Sequence, residues 1–165
     1  MDIAQHQKEV VKFRDLINKI KLAALVTHSA DGLKGRPMQT VDVDLQGNLW
    51  FFTNDFTEKV EEIAQESEVF LSYTNLADNA YVMVNGTGRL VHDKAKIESL
   101  WNPALKAWFP DGLDDPRIML LEVIPDEVEY WNGSSNKLVV AFKMLRAIIK
   151  GEQYEDGDHK KIALH

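Results

Sequence analysis

The chain has no cysteine among its 165 residues. That excludes disulfides, thiolate metal sites and a cysteine nucleophile. It also lacks any apolar run approaching the about 18 residues that a membrane helix needs, so no membrane partner is expected. Cations are outnumbered, with 19 Lys and Arg against 26 Asp and Glu, a net charge of -7. A field of that sign repels phosphate backbones, so no nucleic-acid partner is expected either. Met1-Asp2-Ile3 is not followed by a basic segment and an apolar run, so it does not read as a signal peptide. The expected location is the cytoplasm. The five histidines (His6, His28, His92, His159, His165) are scattered and make no metal constellation. No Ser–His–Asp order comes with a nucleophile elbow. Gly86-Thr87-Gly88 falls inside a strand pattern, which removes it from the dinucleotide fingerprints.

What remains is an ordinary globular composition, 45% apolar and 27% charged, long enough for one domain over residues 1–165 with a sizeable core. Val10, Phe13, Ile17 and Ile20 share one face of a helix over about 4–20. Residues 21–28 read as a strand, Ala30-Asp31-Gly32 as a turn, and 38–45 as an alternating strand with Val41, Val43 and Leu45 facing one way. Gln46-Gly47-Asn48 turns into a second strand, 49–53, and a short helix covers 58–66 with Val60, Ile63 and Ala64 as its buried stripe. Strands follow at 69–73 and 80–91, the second carrying Gly86 and Gly88, which mark a bulge or a bend. Asp93 caps a helix with Ile97, Leu100 and Trp101, and Asn102-Pro103 restarts it. A strand at 117–123 is broken by Pro125, and 127–131 forms a further strand. A helix over about 138–150 stops at Gly151. The polar tail 152–165 is expected to be loosely held. Core packing is expected for Trp50, Trp101 and Trp108. Trp131 ends its strand where its ring could enter a cleft, although core or interface packing is the favoured reading of the pattern. About seven mostly antiparallel strands with flanking α-helices predict a closed or partly closed β-barrel.

The chemistry concentrates at the junction of strand 49–53 with the following helix. Amides at a helix N-terminus are unpaired and carry partial positive charge. Thr53, Thr57 and Lys59 add two hydroxyls and an ammonium, a set that suits a phosphate. A strand end, a helix cap and a solvated lysine would read the same way.

The motifs Phe51-Phe52-Thr53 with Thr57-Glu58-Lys59, Tyr81-Val82-Met83-Val84-Asn85-Gly86, and Val128-Glu129-Tyr130-Trp131-Asn132-Gly133 occur in the order seen in pyridoxamine 5′-phosphate oxidase-like proteins. The chain resembles that family from roughly Phe13 to Lys150. Arg36-Pro37-Met38, Leu100-Trp101-Asn102-Pro103 and Trp108-Phe109-Pro110 resemble its general stress protein 26 branch. The resemblance implies a mainly β fold with flanking α-helices, the FMN-binding split β-barrel, and a homodimer with shared flavin sites. It implies FMN, with FAD as the alternative. It places the phosphate on Thr53, Thr57 and Lys59, and the flavin ring along Met38, Gln39 and Thr40 after Arg36, beside Phe52. Trp131 would come from the second subunit.

The chain also departs from the vitamin-making oxidases of that family. Glu58 stands where they carry Arg, Tyr81 where they carry Gln, and Lys137-Leu138-Val139 where they carry Arg-Leu-His. The resemblance therefore favours flavin binding over vitamin B6 chemistry. If the protein is an enzyme it is an oxidoreductase, with no residue identified as acid or base. The rivals are a flavin-binding or flavin-buffering stress protein without turnover, and an apo dimer whose pocket has decayed, since Glu58 beside a phosphate costs affinity unless it points away.

Overall fold

One strand organises the molecule. β7 (Ile118–Asn132) runs for 15 residues and pairs from Leu120 to Asn132 with β6 (Ala80–Val91). Its other edge is divided. Ile118–Val123 pairs with β4 (Leu49–Asn54), and Glu127–Asn132 pairs with β8 (Asp158–Ala163). The computed structural model describes residues 3–55, 57–133, 144–145, 147–151, 153 and 158–163.

Pro125 sits at the division of β7. Proline offers no amide to a ladder, and here it falls between the end of the β4 pairing and the start of the β8 pairing. On the β6 side the register shifts by one residue between Asn85 and Gly86. The sequence reading ended a strand at Pro125, but the strand continues because this proline interrupts only the pairing. Gly86 is required at the bulge, since a Cβ there would stand 2.5 Å from the carbonyl oxygen of Ile124.

The remaining elements are α1 (Ile3–Ile20), β1 (Leu22–Ser29), β2 (Gly32–Gln39), β3 (Asp42–Val43), α2 (Glu58–Gln65), β5 (Glu68–Asn75) and α3 (Lys94–Leu100). Two 3₁₀ turns, Pro103–Ala107 and Gly112–Asp114, follow α3. All strand pairs are antiparallel, in the order β2-β1-β5-β6-β7-β4-β3 with β8 off the path on β7. β2 and β3 end that path without pairing to each other, so the sheet is a split barrel rather than a closed one.

The expected strand over 38–45 is two strands. β2 pairs back on β1, the chain leaves it at Thr40, and β3 then pairs with β4. Leu45 is exposed as a result. The turn that follows is closed by Asp44 Oδ1, which accepts from the amides of Gln46 and Asn48, with Gly47 at φ 89°.

The main core packs Val10, Phe13, Leu16 and Ile17 of α1 against Leu25, Leu71, Val84, Val123 and Val128 of the sheet. A second cluster lies on the other face of β4 and β7. It joins Trp50, Ile97, Phe109, Ile118 and Leu120, with Phe52 and Trp101 packed against it. Covered on both sides, these two strands read as continuous apolar runs. Trp50 is buried and Trp101 half-buried, as expected. Trp108 is 69% exposed, contrary to its assignment to the core. In α2, Val60 and Ile63 are buried and Ala64 is exposed. Asp93 and Asn102 cap α3 and the first 3₁₀ turn, accepting from Lys96 N and Ala104 N.

The tail corrects another expectation. Residues 158–163 are held as a strand. Ile162 enters the main core, Lys160 pairs with Glu9 of α1, and Lys161 pairs with Glu127 at 3.0 Å. The basic end of the tail lies on the acidic segment Glu127-Val128-Glu129. Of the expected C-terminal helix, residues 144–145 and 147–150 are helical. The stretch 138–143, and with it Lys137-Leu138-Val139, lies outside the described residues. No described helix is long and apolar enough to cross a membrane.

Candidate functional site

The junction between β4 and α2 builds the site. β4 ends in Thr53-Asn54, and Thr57 stands before α2 in extended backbone, φ -102° and ψ 152°. Its hydroxyl donates to Asn54 O at 3.1 Å and makes no cap bond to the helix. The carbonyl of Thr57 accepts from the amides of Val60 and Glu61. The amides of Glu58 and Lys59, at the first two helical positions, lie outside the helix's own ladder. They carry the positive end of its dipole.

Thr53 is 3% exposed, and its Oγ1 is buried with no hydrogen-bond partner among the described residues. Buried hydroxyls are nearly always satisfied, so an orphan at this place marks a position where something else belongs. Lys59 is half-buried and pairs with no carboxylate among the described residues. Burial first, and the nearby Arg36 guanidinium second, hold its ammonium below the ordinary lysine range.

The charged neighbours are committed to one another. Arg36 donates to Thr27 Oγ1 at 2.7 Å and to Glu62 Oε2 at 2.8 Å. Thr27 also donates to Glu62. That hydrogen bond first, and Arg36 second, hold the Glu62 carboxyl below the usual range against the opposing effect of burial. Glu58 pairs at 3.0 Å with Lys34 on β2, and this pair raises the lysine. The carboxylate that threatened the phosphate reading is thus drawn sideways to the β1–β2 hairpin. What the arrangement offers is an anion cradle of helix amides, a buried hydroxyl without a partner among the described residues, and an ammonium that pairs with no carboxylate among them.

The other expected site residues divide. Met38 is buried in the main core. Gln39 is exposed. Thr40 is buried, its hydroxyl 2.6 Å from the Tyr73 phenol, which burial pushes up. Phe52 turns to the second cluster, edge-on to Trp101 at 6.0 Å and 81°. Trp131 is remote. Thr53 pairs with Met119, and Trp131 is twelve residues farther along β7. At about 3.3 Å per residue that is roughly 40 Å of strand. Trp131 pairs instead with Tyr81 on β6 and His159 on β8, and its ring stacks on His159 at 4.8 Å and 5°.

Sequence reasoning missed Glu62 and His159. Glu58 and Glu62 are spaced i, i+4 on one helix face, and Lys34 and Arg36 are spaced i, i+2 on one strand face. That complementary spacing was a usable signal. For His159 the only signal was the basic tail opposite an acidic strand.

The comparisons fit this geometry. The family model described as pyridoxamine 5′-phosphate oxidase like matches residues 8–155. General stress protein 26 of Bacillus subtilis is 27% identical over 127 residues, 74% of this chain and 87% of its own length. Protein bli-3 of Neurospora crassa is 26% identical over 113 residues, 64% of this chain, and the match spans only 54% of that longer relative. The crystal structure of the general stress FMN/FAD binding protein of Xanthomonas citri superposes with a TM-score of 0.66 at 26% identity, covering 76% of this chain and 89% of that one. A cradle at the β4–α2 junction of a split barrel, with this match over most of the chain, places it in the pyridoxamine 5′-phosphate oxidase-like family, in the general stress protein 26 branch.

Proposed function

We propose that this chain is a single-domain, flavin-binding general stress protein of the cytoplasm, working as a flavin-dependent oxidoreductase. FMN is the expected cofactor, with FAD as the alternative. The observations that carry the reading are the buried Thr53 hydroxyl, without a partner among the described residues, and Lys59 in the first turn of α2, whose ammonium pairs with no carboxylate among them. These residues fit a phosphate monoester. Thr53 and Thr57 would hydrogen-bond it, Lys59 would neutralise it, and Arg36 would add positive field while it braces α2 through Glu62. Met38, Gln39 and Thr40 lie on the segment that would pass the flavin ring, and Phe52, whose ring packs on Trp101, would reach it only along its edge. Bound there, the flavin would supply two-electron chemistry. The protein residues bind and orient.

A site that uses both the cradle and Trp131 needs two copies, since these features lie at opposite ends of β7. The outer sheet face supports such a homodimer. Val26, Phe70, Met83, Tyr81 and Trp131 follow one another across β1, β5, β6 and β7 on that face. All five are half-buried. A two-fold axis would place each tryptophan against the other copy's cradle.

Three measurements test the reading. The purified protein should carry or take up a yellow chromophore, identified by mass spectrometry of the released ligand. Light scattering should give about twice the chain mass of 18.8 kDa. Bleaching of the bound flavin by NADH or NADPH separates turnover from flavin storage. A colourless protein that takes up neither FMN nor FAD refutes the proposal, and a stable monomer that binds FMN refutes the shared site.

A further inference from the structure

The cradle offers no acid or base, because its charged groups are committed to binding and to each other. The far end of β7 supplies one. β8 lies on the β7 edge with His159 directly opposite Trp131, the two rings parallel within 5° at 4.8 Å. His159 Nε2 lies 2.7 Å from Glu129 Oε1. An ionised carboxylate only accepts hydrogen bonds, so Nε2 carries the hydrogen and donates. Nδ1 is left to accept from a ligand when the ring is neutral and to donate to one when it is charged. Glu129 fixes the ring and faces any positive charge that forms on it, the arrangement by which a carboxylate orients a working imidazole.

The His159 side chain is half-exposed. Of the other charged or titratable groups on this face, Glu127 and Lys161 pair with each other at 3.0 Å, and Tyr81 stands beyond Trp131 on β6. Lys160 turns to the opposite side, where it meets Glu9.

We propose that His159 is the proton-handling group of the flavin site to which Trp131 belongs, its Nδ1 exchanging a proton with the O–H or N–H of a small ligand bound against the Trp131–His159 pair. The proton passes from the ligand oxygen or nitrogen to Nδ1, leaves the electron pair on the ligand, and later goes to water. No bond to carbon is made or broken by the imidazole. The proposal rests on the reading of Trp131 as part of a flavin wall.

The test uses the full-length protein loaded with FMN. The midpoint potential of the bound flavin is followed from pH 5 to 9 in the wild type, His159→Phe and His159→Gln. Phenylalanine keeps a stacked ring, and glutamine keeps a hydrogen bond toward Glu129. The wild type should change slope by one proton at the pH where its tryptophan emission also steps, because an imidazolium stacked on Trp131 alters that emission. Both variants should bind FMN and lose both signals. A slope change retained in either variant, with flavin bound, overturns the role of His159 alone. A wild type that binds no flavin overturns the reading beneath it, and this proposal with it.

Discussion

Replacing Thr53 by valine should move the protein in two opposite directions at once. Valine keeps the β-branched shape and the strand preference of threonine, so the substitution changes little but the hydroxyl. That hydroxyl is buried and has no partner among the described residues. An unsatisfied buried group costs about 1–3 kcal/mol, so Thr53→Val should stabilise the empty protein by about 1 kcal/mol or more. For a chain of this size each kcal/mol is about 2–4 °C in the unfolding midpoint. With FMN bound the same hydroxyl would donate to a charged phosphate, a bond worth about 1.5–3 kcal/mol. At 1.4 kcal/mol per decade, the variant should bind FMN roughly 10- to 100-fold more weakly. Riboflavin, which has no phosphate, should bind as before. Thr53→Ser keeps the hydroxyl and should stay near wild type on both axes. The assays are thermal unfolding without ligand and fluorescence titration with FMN and riboflavin. A Thr53→Val protein that is less stable when empty and binds FMN normally would refute the assignment, since the hydroxyl would then serve the fold.

The sequence carried the signals of most elements because they were local. The α1 stripe through Val10, Phe13 and Ile17, the caps at Asp93 and Asn102, and the glycine-marked break in β6 each rest on neighbouring residues and stand as read. Where the reading failed, a distant partner decided. Pro125 is a strand breaker by its own chemistry, yet β7 passes through it because β4 ends and β8 begins on that edge. Residues 158–163 look like a polar tail until the acidic edge of β7 is beside them, and the buried Ile162 then makes their alternation legible. Leu45 and Trp108 are exposed, which their own apolarity does not report. At the site, Thr53, Thr57 and Lys59 were legible as a helix-start pattern. The Arg36–Glu62–Thr27 brace and the diversion of Glu58 to Lys34 were not. They depend on α2 lying against the β1–β2 hairpin, a contact that no stretch of sequence contains.

Lys59→Ala should weaken FMN binding by about tenfold or more, the loss of one charge-assisted bond, and leave riboflavin unchanged; equal losses would show that Lys59 acts through folding. In the wild type, FMN affinity should fall with rising pH before an ordinary lysine would titrate, because burial and Arg36 hold its ammonium below that range. Gly86→Ala should destabilise the fold by about 1–3 kcal/mol, the usual cost of forcing an extra group into a filled space, because the new Cβ would meet the Ile124 carbonyl at 2.5 Å; a urea midpoint equal to wild type would show that the bulge relaxes freely. The last prediction concerns acid. The Glu62 carboxyl is held below its ordinary value by Thr27 and then Arg36. A carboxyl whose folded value is depressed contributes stability above the unfolded value of about 4.3, and that contribution is lost as pH falls through the folded value. Urea midpoints should therefore drop below about pH 4, and Glu62→Gln should lower the neutral-pH midpoint while flattening the acid slope. An acid slope unchanged in Glu62→Gln would mean that the brace on α2 carries no net charge coupling, and Arg36 would then be free to face the phosphate.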